Sequence, residues 1–186
     1  NINDRNNPPI TAPKTLNATE DTAATMTAAQ LLAGDVPGPA DESSQTLTVI
    51  GVTAASSQGG TVSFANGVAT YTPKADFQGT DTFFYQVQDN GTTAGNADPQ
   101  TSTGTVTVTV AGTPDSPRLA NPIGRVSMVE DEAARVINLT NVFFDPDLGD
   151  SITFSLEPGG NTNPGLVTPS VVNGQLTLTL QPNQNG

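Results

Sequence analysis

The sequence contains no cysteine, no histidine and no tryptophan. Without cysteine the chain has no disulfide framework and no thiolate metal site, so a small acidic domain needs another source of stability, for which a bound metal ion is one candidate. Without histidine the usual general base of a serine hydrolase is missing, which argues against reading Gly149-Asp150-Ser151 as part of such a site. We therefore expect no enzymatic activity and no catalytic residue.

Basic residues are scarce. The 186 residues include 6 Lys and Arg against 18 Asp and Glu, for a formal net charge of −12. Because affinity for nucleic acid depends largely on attraction between basic side chains and phosphates, this composition argues against a nucleic-acid partner. An acidic surface of this kind is expected to attract cations.

Long hydrophobic runs are also absent. No stretch approaches the roughly 20 apolar residues that would span a bilayer, and the start, "NINDRNN", has neither the basic nor the apolar part of a signal peptide. We expect an internal segment of a longer protein with no membrane span of its own. The two tyrosines, Tyr71 and Tyr85, alternate within strand-like stretches, which predicts a place in a core rather than on an exposed platform for sugars.

What the sequence does contain is an all-β pattern. Short stretches such as "QTLTVIGV", "VATYT" and "GTVTVTV" alternate polar and apolar residues and are rich in valine, threonine and aromatics, which is typical of half-buried strands. Asn66-Gly67 and Asn173-Gly174 are favoured dipeptides of two-residue type I′ turns, so each predicts a β-hairpin. A single helical turn is expected within residues 28–35, ending at Gly34.

The chain repeats itself. "TEDTAATMT" at 19–27 matches "VEDEAARVI" at 129–137 with an offset of 110 residues, and "VSFANGVATYTPKADFQG" at 62–79 matches "PSVVNGQLTLTLQPNQNG" at 169–186 with an offset of 107. We predict a linker from a preceding repeat at 1–7, a first domain at 8–112, a linker at 113–122 and a second domain at 123–186. About 100 residues per copy favours two tandem antiparallel β-sandwiches of immunoglobulin or cadherin type.

The two copies differ in extent. The first continues after Gly79 with "TDTFFYQVQD" and "GTVTVTVAG", whereas the second reaches Gly186, the equivalent of Gly79. The second sandwich is therefore expected to lack its last two strands. These strands are expected to have been cleaved or left out, or to be supplied by another chain in a strand-exchanged oligomer, because an open sandwich exposes its core and its edges.

Several stretches together resemble a known family. "NNPPI", "TLNATEDTAATMTAAQLLAGD", "GTVSFANGVATYTPKADFQGTDTFFYQVQD" and "TVTVTVAG" look like the bacterial cadherin-like and Ig-like tandem repeats of large surface proteins. The second copy, with "VEDEAARVINLTNVFFDPDLGDSITFSLE", more closely resembles the cadherin-like variant related to dystroglycan-type repeats. The resemblance implies secreted or cell-surface modules that often bind calcium and serve as adhesin stalks or as appendages of polysaccharide-active enzymes.

The stretch "FFDPDLGDSITF" supplies the candidate metal ligands Asp145, Asp147 and Asp150. Calcium prefers six to eight oxygen ligands, and an Asp-x-Asp loop offers two carboxylates without demanding a helix or a strand. The alternative is that these aspartates only make turns, because Asp side chains accept hydrogen bonds from nearby backbone N–H groups. By resemblance to cadherins, the loop faces the preceding linker, which implies that Asp115 and Glu20 complete a calcium site at the inter-domain junction.

The first copy departs from this pattern. Where the family usually shows an acidic D-P-D-G-D loop, the chain has "DVPGPADESSQ", in which Asp35, Asp41 and Glu42 stand at altered spacing. The altered spacing argues against a calcium role there. Asp76 and Asp81, on either side of "FQGT", are expected to edge an ordinary turn.

These expectations combine into one functional hypothesis. The chain is predicted to be a non-catalytic stalk segment of a secreted or surface-exposed bacterial adhesin-type protein, stiffened by calcium and in contact with neighbouring repeats of the same polypeptide. The alternative is a carbohydrate-binding accessory module of a polysaccharide-active enzyme. The partner beyond the neighbouring repeats is then a cell-surface protein or a polysaccharide.

Overall fold

The computed structural model describes residues 5–147 and 149–183. The chain divides into two compact units, Asn1–Thr113 and Pro114–Gly186. The described residues are almost entirely in strands, turns and loops, which confirms the all-β prediction. None of them lies in a helix long and apolar enough to cross a bilayer.

The strands of the first unit follow the alternating stretches of the sequence. In chain order they are β1 (Lys14–Thr19), β2 (Ala24–Thr27), β3 (Leu47–Val52), β4 (Thr61–Ala65), β5 (Val68–Thr72), β6 (Gly79–Asp89), β7 (Thr92–Thr93), β8 (Asn96–Ala97) and β9 (Thr101–Ala111). The predicted helical turn is α1 (Ala28–Leu31). Its N-cap is Thr27, whose hydroxyl accepts from the Gln30 N–H while the Gln30 side chain accepts from the Thr27 N–H. A short 3₁₀ helix covers Ala40–Glu42.

Two sheets share one core in this unit. One sheet has the spatial order β1-β9-β6-β3 and the other has the order β2-β5-β4, while β7 and β8 form a separate small hairpin. Tyr71 from the second sheet and Phe83, Tyr85 and Val108 from the first are fully buried in the same hydrophobic cluster. Both tyrosines therefore lie in the core, as their alternation predicts.

One pairing differs from the expectation of purely antiparallel sheets. Strand β1 runs parallel to β9, with Lys14 opposite Val106 and Thr19 opposite Ala111. A tight turn forces neighbouring strands to run antiparallel, but no such turn joins these two strands, because β1 is the first and β9 the last of the unit. The remaining pairs in the two sheets, including β6 with β9, are antiparallel.

The two predicted hairpin turns are confirmed. Asn66 and Gly67 have φ angles of 51° and 76°, and Asn173 and Gly174 have 50° and 72°. Two successive positive φ angles define the type I′ turn, whose twist matches that of the flanking strands. The first turn joins β4 to β5.

The second unit contains five described strands. They are β10 (Arg118–Leu119), β11 (Arg135–Asn138), β12 (Phe143–Phe144), β13 (Val167–Val172) and β14 (Gln175–Leu180). Strands β10 and β12 pair with each other, which places β10 inside the stretch predicted as a linker. The sheet β11-β14-β13 has the same order and the same hairpin turn as β2-β5-β4 of the first unit.

The repeat also appears in local backbone geometry. Asp21 and Asp76 have φ angles of 55° and 57°, and the residues at the matching positions, Asp131 and Asn183, have 58° and 56°. In the first unit the Asp76 N–H donates to the Asp21 carboxylate, and in the second the Asn183 N–H donates to the Asp131 carboxylate. The same sequence positions therefore adopt the same conformation in both copies.

Two strand-like stretches of the second unit are not strands. Residues 122–129 and 151–157 carry no strand in the structure. Their counterparts in the first unit are the two edge strands β1 and β3, of which β1 pairs with β9 and β3 with β6. No counterpart of β6 or β9 is present among residues 114–147 and 149–183. A strand without a partner leaves its backbone N–H and C=O groups unpaired, so these stretches stay irregular.

Candidate functional site

The aspartate loop, residues 145–150, directly follows β12 in the second unit. The Asp145 carboxylate accepts a hydrogen bond of 3.1 Å from the backbone N–H of Asp147, and the Asp150 N–H donates to the Asp147 carbonyl at 3.3 Å. Such short-range bonds are the turn chemistry of aspartate, and they bend the loop back on itself. The turn interpretation and the metal interpretation of this stretch are therefore compatible, because the same turn brings the carboxylates together.

The loop gathers its three carboxylates. One carboxylate oxygen from each of Asp145, Asp147 and Asp150 lies within 4.8 Å of the others. Asp145 and Asp147 are half-buried and Asp150 is exposed. Two like charges at about 4 Å repel each other by about 1 kcal/mol even in water, and by more where water is partly excluded. An oxygen-only, negatively charged cluster has the ligand chemistry that calcium prefers.

Asp115 lies in the same unit as the aspartate loop. Its backbone N–H donates to the Asp147 carboxylate at 2.6 Å. Its own carboxylate lies 3.5 Å from the guanidinium of Arg118, in a partly exposed ion pair. The backbone N–H of Asp115 therefore contacts the aspartate loop. The positive charge of Arg118 offsets part of the negative charge of these acids.

Glu20, the fifth predicted ligand, belongs to the first unit. It is 3% exposed, and its carboxylate accepts hydrogen bonds from the backbone N–H and the hydroxyl of Thr113. This carboxylate therefore anchors the end of the first unit. The assignment of all five residues to one calcium ion stays a prediction.

The acid Asp35 in the first copy's loop has a different role. Lys14 Nζ lies 2.6 Å from one oxygen of the Asp35 carboxylate, and the Tyr85 hydroxyl donates to the other oxygen at 2.7 Å. Lys14 and Asp35 are almost completely enclosed, with side-chain exposures of 6% and 0%. The Lys14 ammonium neutralises Asp35 in the interior. Burial, followed by the hydrogen bond to Asp35 and its charge, raises the pKa of Tyr85.

Asp81 was predicted to edge a turn, but it lies inside β6 and is 1% exposed. Its carboxylate accepts hydrogen bonds from the hydroxyls of Ser56, Ser57 and Tyr71 and from the N–H groups of Gln58 and Thr82. Burial alone would raise the pKa of Asp81, but the hydrogen bonds from Ser56, Tyr71 and the backbone outweigh it and lower the pKa. The role of Asp81 is structural.

Sequence reasoning did not predict that two further acids of the first unit are buried. Glu42 and Asp89 in the first unit are 7% and 3% exposed, and each has one buried carboxylate oxygen that finds no hydrogen-bond partner among residues 5–147 and 149–183. The only signal in the sequence was the presence of Glu42 in the irregular loop "DVPGPADESSQ". Asp89 had none, because an aspartate at the end of a strand usually starts a turn.

Comparisons with solved structures give only distant likenesses. Two solved chains, the endo-fucoidan hydrolase MfFcnA4 from glycoside hydrolase family 107 and its variant MfFcnA4_H294Q, align with 94% and 95% of this chain. They are 14% and 15% identical to it, with TM-scores of 0.31 and 0.28. The chain spans 24% of the length of those enzymes.

A comparison with curated proteins finds no match. A family model described as a cadherin-like domain matches residues 5–111, which is more than half of the chain and contains both sheets of the first unit. The chain therefore belongs to the cadherin-like domain family.

Proposed function

We propose that the chain is a non-catalytic structural repeat, a stalk segment of a secreted or surface-exposed protein, in which calcium binds the aspartate loop. Membership of the cadherin-like family over residues 5–111 is the observation that supports the structural role. The repetition of the same three-stranded sheet in both units supports an array of similar modules.

The calcium part of the proposal is supported by the chemistry of the aspartate loop. Three carboxylates that converge within 4.8 Å repel each other, and a divalent cation turns this repulsion into attraction. We propose Asp145, Asp147 and Asp150 as the principal ligands and Asp115 and Glu20 as further ligands. Calcium bound there would stiffen the chain where one repeat follows another and so hold a distal domain away from the surface.

Calorimetry with calcium or with a chelator tests the proposal. Calcium that binds only the folded state stabilises it by about 2.7 kcal/mol when its free concentration is about 100 times Kd. Millimolar calcium is therefore expected to raise the Tm of the wild type above its value in EGTA, and to raise it less for Asp145→Ala and Asp147→Ala. Small-angle scattering should show a more extended, less variable particle in calcium.

Glu157→Ala is the matched control, because Glu157 is an exposed acid of the same unit and is not part of the aspartate loop. It should keep the full calcium response. If wild type, Asp145→Ala and Asp147→Ala all shift equally with calcium, the aspartate loop is only a turn and its calcium role is wrong.

One observation favours the alternative of a carbohydrate-binding module. Phe143 and Phe144 are 38% and 47% exposed, and they border a cavity of about 350 Å³ together with Asp145 and Asp150. Exposed aromatic faces beside acids are common in sugar-binding sites. Affinity electrophoresis through polysaccharide gels distinguishes the two functions. Retardation of the wild type that is lost in Phe144→Ala would support binding, and unretarded migration across a wide polysaccharide panel would support the stalk.

A further inference from the structure

We propose that Lys14 and Asp35 react with each other to form an amide bond between their side chains, a covalent cross-link inside the first unit. The ion pair of these two residues is the arrangement of the reactants. The Lys14 nitrogen attacks the carboxyl carbon of Asp35, and water leaves. The reaction requires no oxidant, reductant or cofactor, and it does not depend on the calcium proposed for the aspartate loop.

The two side chains are held together away from solvent. Their exposures are 6% for Lys14 and 0% for Asp35, and Lys14 Nζ lies 2.6 Å from Asp35 Oδ1. Because a carbon–oxygen bond is about 1.2 Å long, Nζ is no more than about 4 Å from the carboxyl carbon. Val36, the residue after Asp35, is bonded through its backbone to Ile10, which holds the loop beside β1. Reactants fixed this close have a high effective concentration, which the same groups lack in water.

Amide formation requires the uncharged forms of both groups. A lysine nitrogen attacks only with a free lone pair, and a carboxylate repels a nucleophile more strongly than a carboxylic acid does. Burial favours the uncharged forms, because two enclosed charges lose their hydration. Transfer of one proton from Lys14 to Asp35 therefore prepares both groups at once.

Tyr85 supplies the path for this proton. Lys14 Nζ donates to the Tyr85 hydroxyl at 3.0 Å, and that hydroxyl donates to Asp35 Oδ2 at 2.7 Å. When the hydroxyl accepts the lysine proton and passes its own to Oδ2, a neutral amine and a carboxylic acid result and Tyr85 is unchanged. The side chain of Tyr85 is fully buried in the core, and its raised pKa keeps the hydroxyl protonated and able to donate.

The backbone of Ala12 positions both reactants. Its carbonyl accepts from Lys14 Nζ at 2.6 Å, and its N–H donates to Asp35 Oδ1 at 2.8 Å. When the lone pair of Nζ adds to the carboxyl carbon, negative charge develops on Oδ1. The Ala12 N–H stabilises this charge as a donor of an oxyanion hole does.

The atoms and charges of the reaction balance. The bond between Nζ and the carboxyl carbon forms, and the bond between that carbon and Oδ2 breaks. The nitrogen passes a second proton through Tyr85 to Oδ2, which leaves as water, while Oδ1 becomes the oxygen of the amide. The product is a neutral amide, so the interior of the unit loses two charges.

The cross-link closes a covalent ring around residues 15–34, which contain β1, β2 and α1. Tension that enters from the N-terminal side passes directly from Lys14 to Asp35, so this segment is not stretched. Strand β1 then stays paired with β9, the last strand of the unit, under load. This mechanical role rests on the proposed stalk function, whereas the cross-link itself does not.

Mass spectrometry of the full chain, denatured after folding, tests the proposal. The wild type should weigh about 18 Da less than its sequence, which is the mass of one water. Lys14→Met and Asp35→Ala should have the full mass of their sequences. The matched control is Lys74→Met, because Lys74 is exposed and lies outside this group, and it should keep the loss.

A lysine-specific protease locates the bond. The lysines of the chain are Lys14 and Lys74, so an unlinked, denatured chain gives the peptides 1–14, 15–74 and 75–186. A lysine bonded through its side chain resists cleavage. The wild type should therefore give residues 1–74 as one peptide, lighter than its sequence by about 18 Da. Fragmentation of this peptide should place the bond between Lys14 and Asp35.

Tyr85→Phe tests the proton path, because it keeps the ring and removes the hydroxyl. After cell-free synthesis, its cross-link should form slower than that of the wild type by roughly tenfold or more. Equal rates would overturn the role of Tyr85.

If the folded wild type has the full mass of its sequence and the protease separates 1–14 from 15–74, Lys14 and Asp35 form only an ion pair and the inference is wrong. A cross-linked chain without a calcium response would overturn the calcium part of the proposed function and support the inference.

Discussion

At the scale of single residues, the packing of the first unit requires a glycine where the backbone of β9 contacts the ring of Tyr85. A Cβ at Gly104 in β9 would lie 2.1 Å from the Cζ atom of Tyr85, whose side chain is fully buried. Gly104→Ala should therefore cost about 1–3 kcal/mol through overpacking. Gly51→Ala in β3 is the control, since no atom lies within 4 Å of the added Cβ. Denaturant unfolding of both variants measures the difference, and equal stabilities would contradict the packing argument.

The buried ion pair of Lys14 and Asp35 predicts a second residue-scale effect. Lys14→Met would leave the Asp35 carboxylate enclosed, and its remaining partners among the described residues would be the Ala12 N–H and the Tyr85 hydroxyl. Breaking one partner of a buried pair typically costs about 3–5 kcal/mol. The double variant Lys14→Met/Asp35→Asn should recover part of this loss, and a double-mutant cycle by urea unfolding checks it. A cycle without coupling would show that the pair is not an energetic unit.

Asp81 predicts how stability changes with pH. Its pKa is lowered in the folded state from an ordinary value of 3.8, so the folded protein binds the proton less readily than the unfolded chain does. The stability that Asp81 contributes is complete above pH of about 4 and is lost as pH falls through the lowered pKa. In Asp81→Asn this contribution is absent at every pH. The stability difference between wild type and Asp81→Asn should therefore be large at pH 7 and shrink below pH of about 3.

At the scale of elements, the two hairpin turns test the repeat. Gly67 and Gly174 have φ angles of 76° and 72°, in the region that favours glycine. Gly67→Ala should cost about 1 kcal/mol, because an L side chain at the second position of a type I′ turn is strained. Gly174→Ala should cost at least as much, since its added Cβ would also lie 3.2 Å from the Thr140 methyl, whereas at Gly67 nothing lies within 4 Å. Thermal melts of both variants compare the turns.

The second unit shows that an alternating sequence pattern is not sufficient to form a strand. Residues 151–157 alternate like β3, yet they form no strand, whereas β13 and β14 form as predicted. The difference lies in the partner: β13 and β14 are joined by a tight turn and pair with each other. A stretch becomes a strand only where another strand pairs with its backbone, and a local pattern cannot report whether that partner exists.

At the scale of the whole molecule, the net charge of −12 opposes compaction. Raising sodium chloride from about 0.01 to 0.15 M shortens the Debye length from about 30 to 8 Å, so the Tm in EGTA should rise modestly with salt. Calcium at a few millimolar should raise the Tm more than the same ionic strength of sodium chloride, because binding adds to screening. Calorimetry at matched ionic strength separates the two effects, and equal shifts would contradict specific calcium binding.

The sequence by itself determined the all-β class, the two type I′ hairpins, the internal repeat and the acidic stretch at Asp145, Asp147 and Asp150. These features depend on neighbours in the chain: strand alternation, the conformational freedom of Asn-Gly and the spacing of carboxylates within one loop. For that reason, these features could be predicted from short stretches of the sequence.

The tertiary structure alone decided the parallel pairing of β1 with β9 and the roles of the buried acids. Asp35, Asp81 and Asp89 look alike in sequence, yet their surroundings differ. Asp35 is neutralised by Lys14, Asp81 accepts five hydrogen bonds, and one oxygen of Asp89 has no hydrogen-bond partner within the described part of the chain. The chemistry of a buried charge depends on which groups enclose it, and those groups come from residues up to 83 positions apart, as with Asn6 and Asp89. Only folding brings such groups together.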